Sequence, residues 1–486
     1  MLATGKTRKI TINPVTRIEG HGKVTIHLDE NGHVTQARFH IVEFRGFERF
    51  ALGRPYWEVP VMIQRLCGIC PVSHHLCAAK AMDWIVGGER LSPCAEKMRR
   101  LMHYGQMFQS HALHFFHLSS PDLLFGFSSD VARRNIIGVI QAHPEIARRA
   151  VLMRKYGQEV IKATSGKKIH GTGAIPGGIN KNLSTTERDA LRRDIGQMIE
   201  WSQAAVKLVK DIRAKDPTFF DSFGAFESNC VSLVRADGAL DFYDGGLRAK
   251  DAEGNIIFDH VRPMDYLDYI REEVRAWSYM KFPFIRSLGK EKGWYRVGPL
   301  ARVNNCDFIP TPLAEEERKE FRAATGGKPS NSSLHYHWAR MIELLHAAEL
   351  MRDLLNDPDL QSSDLVRRGL RREETVAILE APRGTLFHHY CVNANDEVTL
   401  INLIVSTTNN NEAMNRVVQK IARDYLEGQV ITEGLLNHIE VGIRAYDPCL
   451  SCATHAVGQM PLVVTLMGSQ GQTLDMKARG AGCPQS

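Results

Sequence analysis

Two hydrophobic rhythms alternate along this chain. Val24, Ile26 and Leu28 are separated by polar residues, a turn over Asp29–Gly32 contains Asn-Gly, and Val34–Val42 returns extended. That period of two predicts a small antiparallel sheet over residues 8–45. From about Tyr56 the spacing becomes helical. Ser92 as N-cap and Pro93 as first helical residue open a helix bearing Met98, Leu101, Met102, Phe108, Leu113 and Phe116. Ser184-Thr185-Thr186-Glu187 is a capping box for a long helix to about Lys215, and Leu334–Asn356 is helical after the polar break Gly326–Ser333. Two hairpins interrupt the helices, one around 241–259 and one pairing Thr385–Cys391 with Val398–Val405. The fold class expected is α+β, predominantly helical, with small peripheral antiparallel sheets.

Composition narrows the function classes. Hydrophobic residues make up 43% and charged residues 24% of 486, which excludes a disordered or fibrous chain. At roughly 100–200 residues per domain this length allows several units or one large core. A formal charge of +6 over such a length gives no argument for nucleic acid or an anionic membrane. The N-terminus has basic residues without an apolar region behind them, and no run reaches the ~18–20 apolar residues of a spanning helix. The expectation is a soluble, cytoplasmic protein with no membrane insertion. Ten cysteines are too few for a disulfide scaffold at this size and suggest reduced thiols that bind metal or do chemistry.

Four of those cysteines form two Cys-x-x-Cys pairs: Cys67 and Cys70 in "RLCGICPVSHH", Cys449 and Cys452 in "DPCLSCATH". The spacing lets two thiolates reach one ion. Nearly the whole chain separates the pairs, so a shared site has to be built by the tertiary fold. His74 and His455 follow their pairs closely enough to orient the sulfurs. Four sulfur ligands suit zinc, iron–sulfur, or a thiolate-bound nickel or iron centre, and spacing does not choose among them. Neither pair sits in a βαβ unit, which weakens a redox-dithiol reading.

"NPVTRIEGHGKV" (13–24), "FRGFE" (44–48), "RLCGICPVSHH" (65–75), "EAPRGTL" (380–386) and "YDPCLSCATHAVGQMPL" (446–462) occur in one order. Together they resemble the large, catalytic subunit of nickel–iron hydrogenases, most of all the soluble, bidirectional, NAD-linked type. The resemblance spans residue 10 to the C-terminal region and demotes the zinc reading. It implies a Ni–Fe centre with CO and CN ligands on iron, Cys67 and Cys449 as terminal nickel ligands, and Cys70 and Cys452 as bridges. It implies heterolytic H2 cleavage, with Cys449 as proton acceptor and Glu19 as relay carboxylate. It places Arg383 over the diatomic ligands with Pro382 in the same turn, Ser406 as a second donor, Asp122 and Asp447 as restraints on Arg383, and His74 beside the sulfurs. Glu48 and His455, with a main-chain carbonyl near Asn402, match a magnesium-type site.

The same resemblance implies partners: an iron–sulfur small subunit, flavin- and NAD-binding diaphorase subunits, and a maturation endopeptidase cutting between His455 and Ala456. Residues 1–455 would then form the body and 456–486 a pro-segment. The glycine-rich stretch 166–178 fits neither a Walker loop nor G-x-G-x-x-G, and no further clustered cysteine set is seen, so neither NAD nor an iron–sulfur cluster is expected in this chain. Cys77, Cys94, Cys230, Cys306, Cys391 and Cys483 match no ligand of the family and read as buried or incidental thiols, and His388 and His389 as structural. Two rival functions remain: an H2 sensor using the same site, and a four-thiolate zinc scaffold.

Overall fold

The structure, a computed structural model, describes residues 8–88 and 90–454, and beyond them the backbone of two strands, Leu462–Met467 and Thr473–Arg479. His455, Ala456 and Cys483 lie outside the described residues.

Strands β1 (Arg8–Ile12), β2 (Gly22–Leu28) and β3 (Val34–Ile41) form an antiparallel sheet in that order, with Ile10 opposite Ile26 and Val24 opposite Phe39. Val24, Ile26, Phe39 and Ile41 face inward, as a period of two requires. Asp29 makes the β2–β3 turn: its Oδ1 accepts from the N–H groups of Asn31 and His33, both at 2.9 Å.

The helices of the body include α1 (Pro71–Ile85), α2 (Pro93–Leu113), α3 (Pro144–Ser165), α4 (Thr185–Lys215), α5 (His335–Leu355), α6 (Asn411–Leu426) and α7 (Glu433–Ala445). Their starts follow from local chemistry. Ser92 Oγ accepts from Ala95 N at 3.2 Å ahead of Pro93, and both bonds of the Ser184–Glu187 capping box are present. Helix α5 is buried on almost every side, including Arg340, Glu343 and His346, and forms the axis of the helical core. None of the described helices is long and apolar enough to cross a membrane.

Two further sheets matter for the site. Strands β4 (Asn229–Val234), β5 (Gly246–Lys250) and β6 (Ile256–Val261), joined by the short parallel β7 (Tyr295–Arg296), form one in the order β7-β4-β5-β6. Strands β8 (Glu374–Ala381), β9 (Gly384–Val392) and β10 (Val398–Ile404) form the other, antiparallel throughout, with Cys391 opposite Leu400 and Phe387 opposite Ile404. The hydrophobic rhythm of the chain does not predict strands β4 and β8. Both are covered on two faces, and residues 230–234 and 375–381 are all buried, so neither shows alternation. One face of the β8–β10 sheet packs, through Ala377, Leu379, Leu386 and Leu403, into an apolar cluster that also contains Cys67, Cys70, Cys449 and Cys452.

Candidate metal centre

Backbone pairing joins the segment after β1 to the segment after α7. Glu19 forms a parallel bridge to Cys449, and Leu450 N donates to Glu19 O at 3.0 Å. Gly20 makes the approach possible. Its φ is +86°, and a Cβ there would stand 2.8 Å from Leu450 Cβ and 3.1 Å from Ser451 N.

That closure brings all four sulfurs together, each within 4.8 Å of the others. The separations are 3.2 Å for Cys67–Cys449, 3.2 Å for Cys67–Cys70, 3.8 Å for Cys70–Cys452 and 2.9 Å for Cys449–Cys452, and none is disulfide-bonded. Cys70 is the N-cap of α1, and the backbone N–H groups of Ile69 and Cys70 both lie 3.2 Å from the Cys67 sulfur and so hold it in place. Hydrogen bonds from Cys449, Cys452 and Cys67 pull the Cys70 pKa well below the ordinary thiol value, against burial. Burial pushes Cys449 and Cys452 well above it. His74, on the first turn of α1, adds a hydrogen bond to Cys70, and its ring lies 5.7 Å from that of His388.

Positive charge is supplied from the β8–β9 turn. Arg383 Nε donates to Asp447 O at 2.6 Å and Nη2 to Asp447 Oδ1 at 3.0 Å. Burial opposes its charge, but Asp447 and the neighbouring sulfurs of Cys449, Cys70 and Cys67 outweigh burial and hold its pKa well above the ordinary value. Asp447, at φ +55°, is pushed up to about 6, chiefly by burial. Ser406 Oγ donates to Gly384 O at 2.7 Å and so braces the turn itself.

Glu19 Oε2 lies 3.0 Å from the Cys449 sulfur and accepts from Ser451 N at 3.1 Å. Ser451 Oγ in turn donates to Glu43 Oε2 at 3.0 Å, and Glu43 pairs with the exposed His21. Asp122 does not restrain Arg383. Its carboxylate is bound by Arg17 at 2.6 Å, Arg444 at 2.5 Å and Asn437 at 3.0 Å, because the short helix Ser120–Phe125 packs beside the Arg17 segment while Asp447 already occupies Arg383. Through Arg17 it orients the segment that carries Glu19. Glu48 sits on the helical turn Phe47–Phe50 and accepts from Leu403 N at 2.9 Å. Burial raises its pKa, with Lys281 opposing. The Lys281 ammonium donates to Glu272 Oε2 at 3.1 Å and to Asn402 Oδ1 at 3.2 Å.

Sequence reasoning missed three groups. Thr407 Oγ1 accepts from Cys449 N at 3.0 Å. His170, at φ +54° in the glycine-rich stretch that fits no nucleotide motif, places Nε2 3.0 Å from Cys67 O. Arg302, fully buried, grips Glu343 through Nε and Nη2 at 2.6 Å each, donates to Glu380 Oε2 at 2.8 Å, and reaches Ala381 O at 2.9 Å and Pro382 O at 3.3 Å. It therefore fixes the turn that aims Arg383. A buried Arg–Glu network of this kind has no local motif, since its partners lie tens of residues apart.

The donor set can be tested for a metal pair. Four buried sulfurs converge, the Arg383 guanidinium lies in their field, and its Nη1 is buried without a hydrogen-bond partner among the described residues. An anionic or dipolar ligand on a sulfur-bound metal would satisfy that donor.

Comparisons with known proteins agree with this geometry. Residues 9–44 match the family described as HoxL-like, and residues 45–129 and 234–455 match the nickel-dependent hydrogenase family. The chain is 50% identical over 490 residues to the HoxS beta subunit of the NAD-reducing hydrogenase of Cupriavidus necator, covering 97% of this chain and all of that one. It is 44% identical to a chain of the F420-non-reducing hydrogenase of Methanothermobacter thermautotrophicus, over 94% and 97% of the two chains. Among solved structures, an NAD+-reducing [NiFe]-hydrogenase in the H2-reduced state superposes with a TM-score of 0.91 at 56% identity, over 93% of this chain and 100% of that one. On sequence, fold and the convergence of its two cysteine pairs, this chain belongs to the nickel-dependent hydrogenase family.

Proposed function

We propose that this chain is the catalytic subunit of a nickel–iron hydrogenase of the NAD-linked type. The observation that carries the reading is the four-sulfur cluster with Glu19 Oε2 3.0 Å from Cys449. Cys67, Cys70, Cys449 and Cys452 would hold the nickel–iron pair, whose iron would carry CO and CN. Such a pair supplies the heterolytic cleavage of H2 when bound.

The chain's own residues do the rest. Cys449 holds the proton released, and Glu19 takes it across a distance suited to direct transfer. Arg383, locked by Asp447 on one side and by Arg302 behind its turn, keeps one donor free for an anionic ligand. The apolar cluster around the sulfurs excludes water from the reacting atoms. A magnesium-type site fits less well: among the described residues Glu48 already faces Leu403 N and the positive field of Lys281, and no step is assigned to it.

Electrons would leave through an iron–sulfur small subunit to flavin- and NAD-binding subunits, as the NAD-reducing relatives suggest. Residues 456–486 would be removed by an endopeptidase after His455. In support, the family match stops at residue 455.

Metal analysis with infrared spectroscopy of the matured complex tests the reading. Nickel and iron with CO and CN bands are expected; zinc in their place overturns it. Intact mass should correspond to a chain ending at His455, and a mass that includes 456–486 in active enzyme removes the cleavage claim.

A further inference from the structure

The β8–β10 sheet brings a second set of metal-ligating side chains together, on the face turned away from the four cysteines. Glu374, at the start of β8, stands directly opposite Cys391 of β9, and His389 precedes Cys391 by two residues. Residues two apart on a strand share a face, and directly opposed Cβ atoms lie about 4.5–5.5 Å apart. Backbone register alone therefore puts carboxylate, imidazole and thiol on one face. Their ligand atoms all lie within 4.8 Å of one another, and among the described residues only the four-cysteine cluster does the same. That face continues into a different apolar cluster, through Val376, Ile378 and Phe387, so the sheet itself separates the two sets.

The three are graded in depth. Glu374 is exposed, Cys391 half-buried and His389 buried, so the set opens outward. His389 is fixed at both nitrogens: Nε2 lies 2.9 Å from Glu374 Oε1, and Nδ1 lies 3.2 Å from the Tyr266 hydroxyl, which itself accepts from Asn402 Nδ2 at 3.0 Å. A hydroxyl on the far nitrogen is the arrangement that orients an imidazole as a ligand.

We propose that Glu374, His389 and Cys391 bind a borderline divalent transition metal, zinc being the type case, with a fourth position open to water. One thiolate, one imidazole and one carboxylate form a mixed soft and hard set that suits zinc or cobalt and does not suit magnesium or calcium, which take oxygen. On ligation the single imidazole proton of His389 would sit on Nδ1 and be donated to the Tyr266 hydroxyl, leaving Nε2 to the ion, and the Cys391 thiol would release its proton to water. A plain His389–Glu374 hydrogen bond accounts for two of the three residues and gives the thiol no part.

The test uses the purified complex with its resident metals in place. Addition of Co2+ should produce a thiolate-to-cobalt charge-transfer band at one equivalent, displaced by Zn2+, and Zn2+ should slow alkylation of Cys391. The band should vanish in Cys391→Ser, a half-buried and isosteric change, and in His389→Gln. Tyr266→Phe should weaken Co2+ binding by roughly 10–100-fold while the band survives. Absence of the band in the unaltered complex, its persistence in Cys391→Ser, or saturation only at a large excess of metal overturns the site.

Discussion

The two cysteine pairs reach the same centre by different means. Cys67 and Cys70 are held by their own neighbourhood: Pro71 starts α1, Cys70 caps it, and two successive N–H groups point at the Cys67 sulfur. Cys449 and Cys452 follow the end of α7 on irregular backbone, starting from Asp447 at φ +55°. Almost everything that places them comes from elsewhere in the chain: Glu19 and Gly20 from the N-terminal segment, Thr407 from the stretch after β10, Arg383 from the β8–β9 turn. One pair is preorganised by a helix, and the other is docked. The C-terminal pair is therefore expected to be the more sensitive of the two to substitutions elsewhere in the chain.

Gly20→Val should break the contrast most severely. A side chain at φ +86° strains the backbone by roughly 1–2 kcal/mol before any clash, and the Cβ meets Leu450 and Ser451 at contact distances backbone does not tolerate. We expect nickel content and H2 uptake to fall together, while the N-terminal pair keeps its helix. Full metal content in that variant would show that docking of the C-terminal segment does not depend on this approach. Next in size is Glu19→Gln, which keeps the backbone bridge and removes the proton acceptor. Turnover should fall by about 10²–10⁴ with metals retained; unchanged H2/D+ exchange would exclude the relay.

Arg302→Met separates support from chemistry. It leaves Glu343 and Glu380 buried without their cation, at a cost of about 3–5 kcal/mol, and it frees the Ala381–Pro382 backbone. Thermal unfolding should drop markedly, and the CN bands should shift because Arg383 is aimed less well. The same network gives a pH dependence. Burial pushes Glu343 up, but Arg302 and His111 outweigh it and bring it to about 2. A depressed carboxyl contributes stability above its ordinary pKa of 4.5 and loses it as pH falls towards 2. His103, His111 and His346 are held near 4 by burial. The unfolded chain binds their protons first, so stability should already decline as pH falls from 6.5 towards 4. Denaturant midpoints across pH 3–8 check both windows, and a midpoint flat from 7 to 4 would contradict the histidine assignment.

How much of this is legible in the sequence differs between the halves. Helix starts at Ser92 and Ser184 and the β2–β3 pairing follow from adjacent residues, and adjacent residues are what a sequence displays. The four cysteines, Glu19, Arg383 and Asp447 are visible because they sit in motifs. Arg302, Thr407 and His170 are not, since each acts on a backbone group far along the chain. Asp122 is readable as a site residue but not with its true partners, because spacing does not say which of several arginines a buried carboxylate will meet. Strands β4 and β8, buried on both faces, carry no period at all.

The smallest effects sharpen the contrast best, because they compare one hydrogen bond on each side. Thr407→Val removes the acceptor for Cys449 N deep in the protein. No helix stands ready to satisfy that N–H, so its desolvation is uncompensated and should cost about 1–3 kcal/mol. His170→Ala removes the contact to Cys67 O at a half-buried position. There water can replace the imidazole, and α1 still fixes the sulfur, so a cost of about 0.5–1.5 kcal/mol is expected. Nickel retention during dialysis against a chelator should fall in Thr407→Val and stay near the parent level in His170→Ala. If the order were reversed, the N-terminal pair would be the docked one, and the helix that follows Cys70 would be a consequence of the site rather than its foundation.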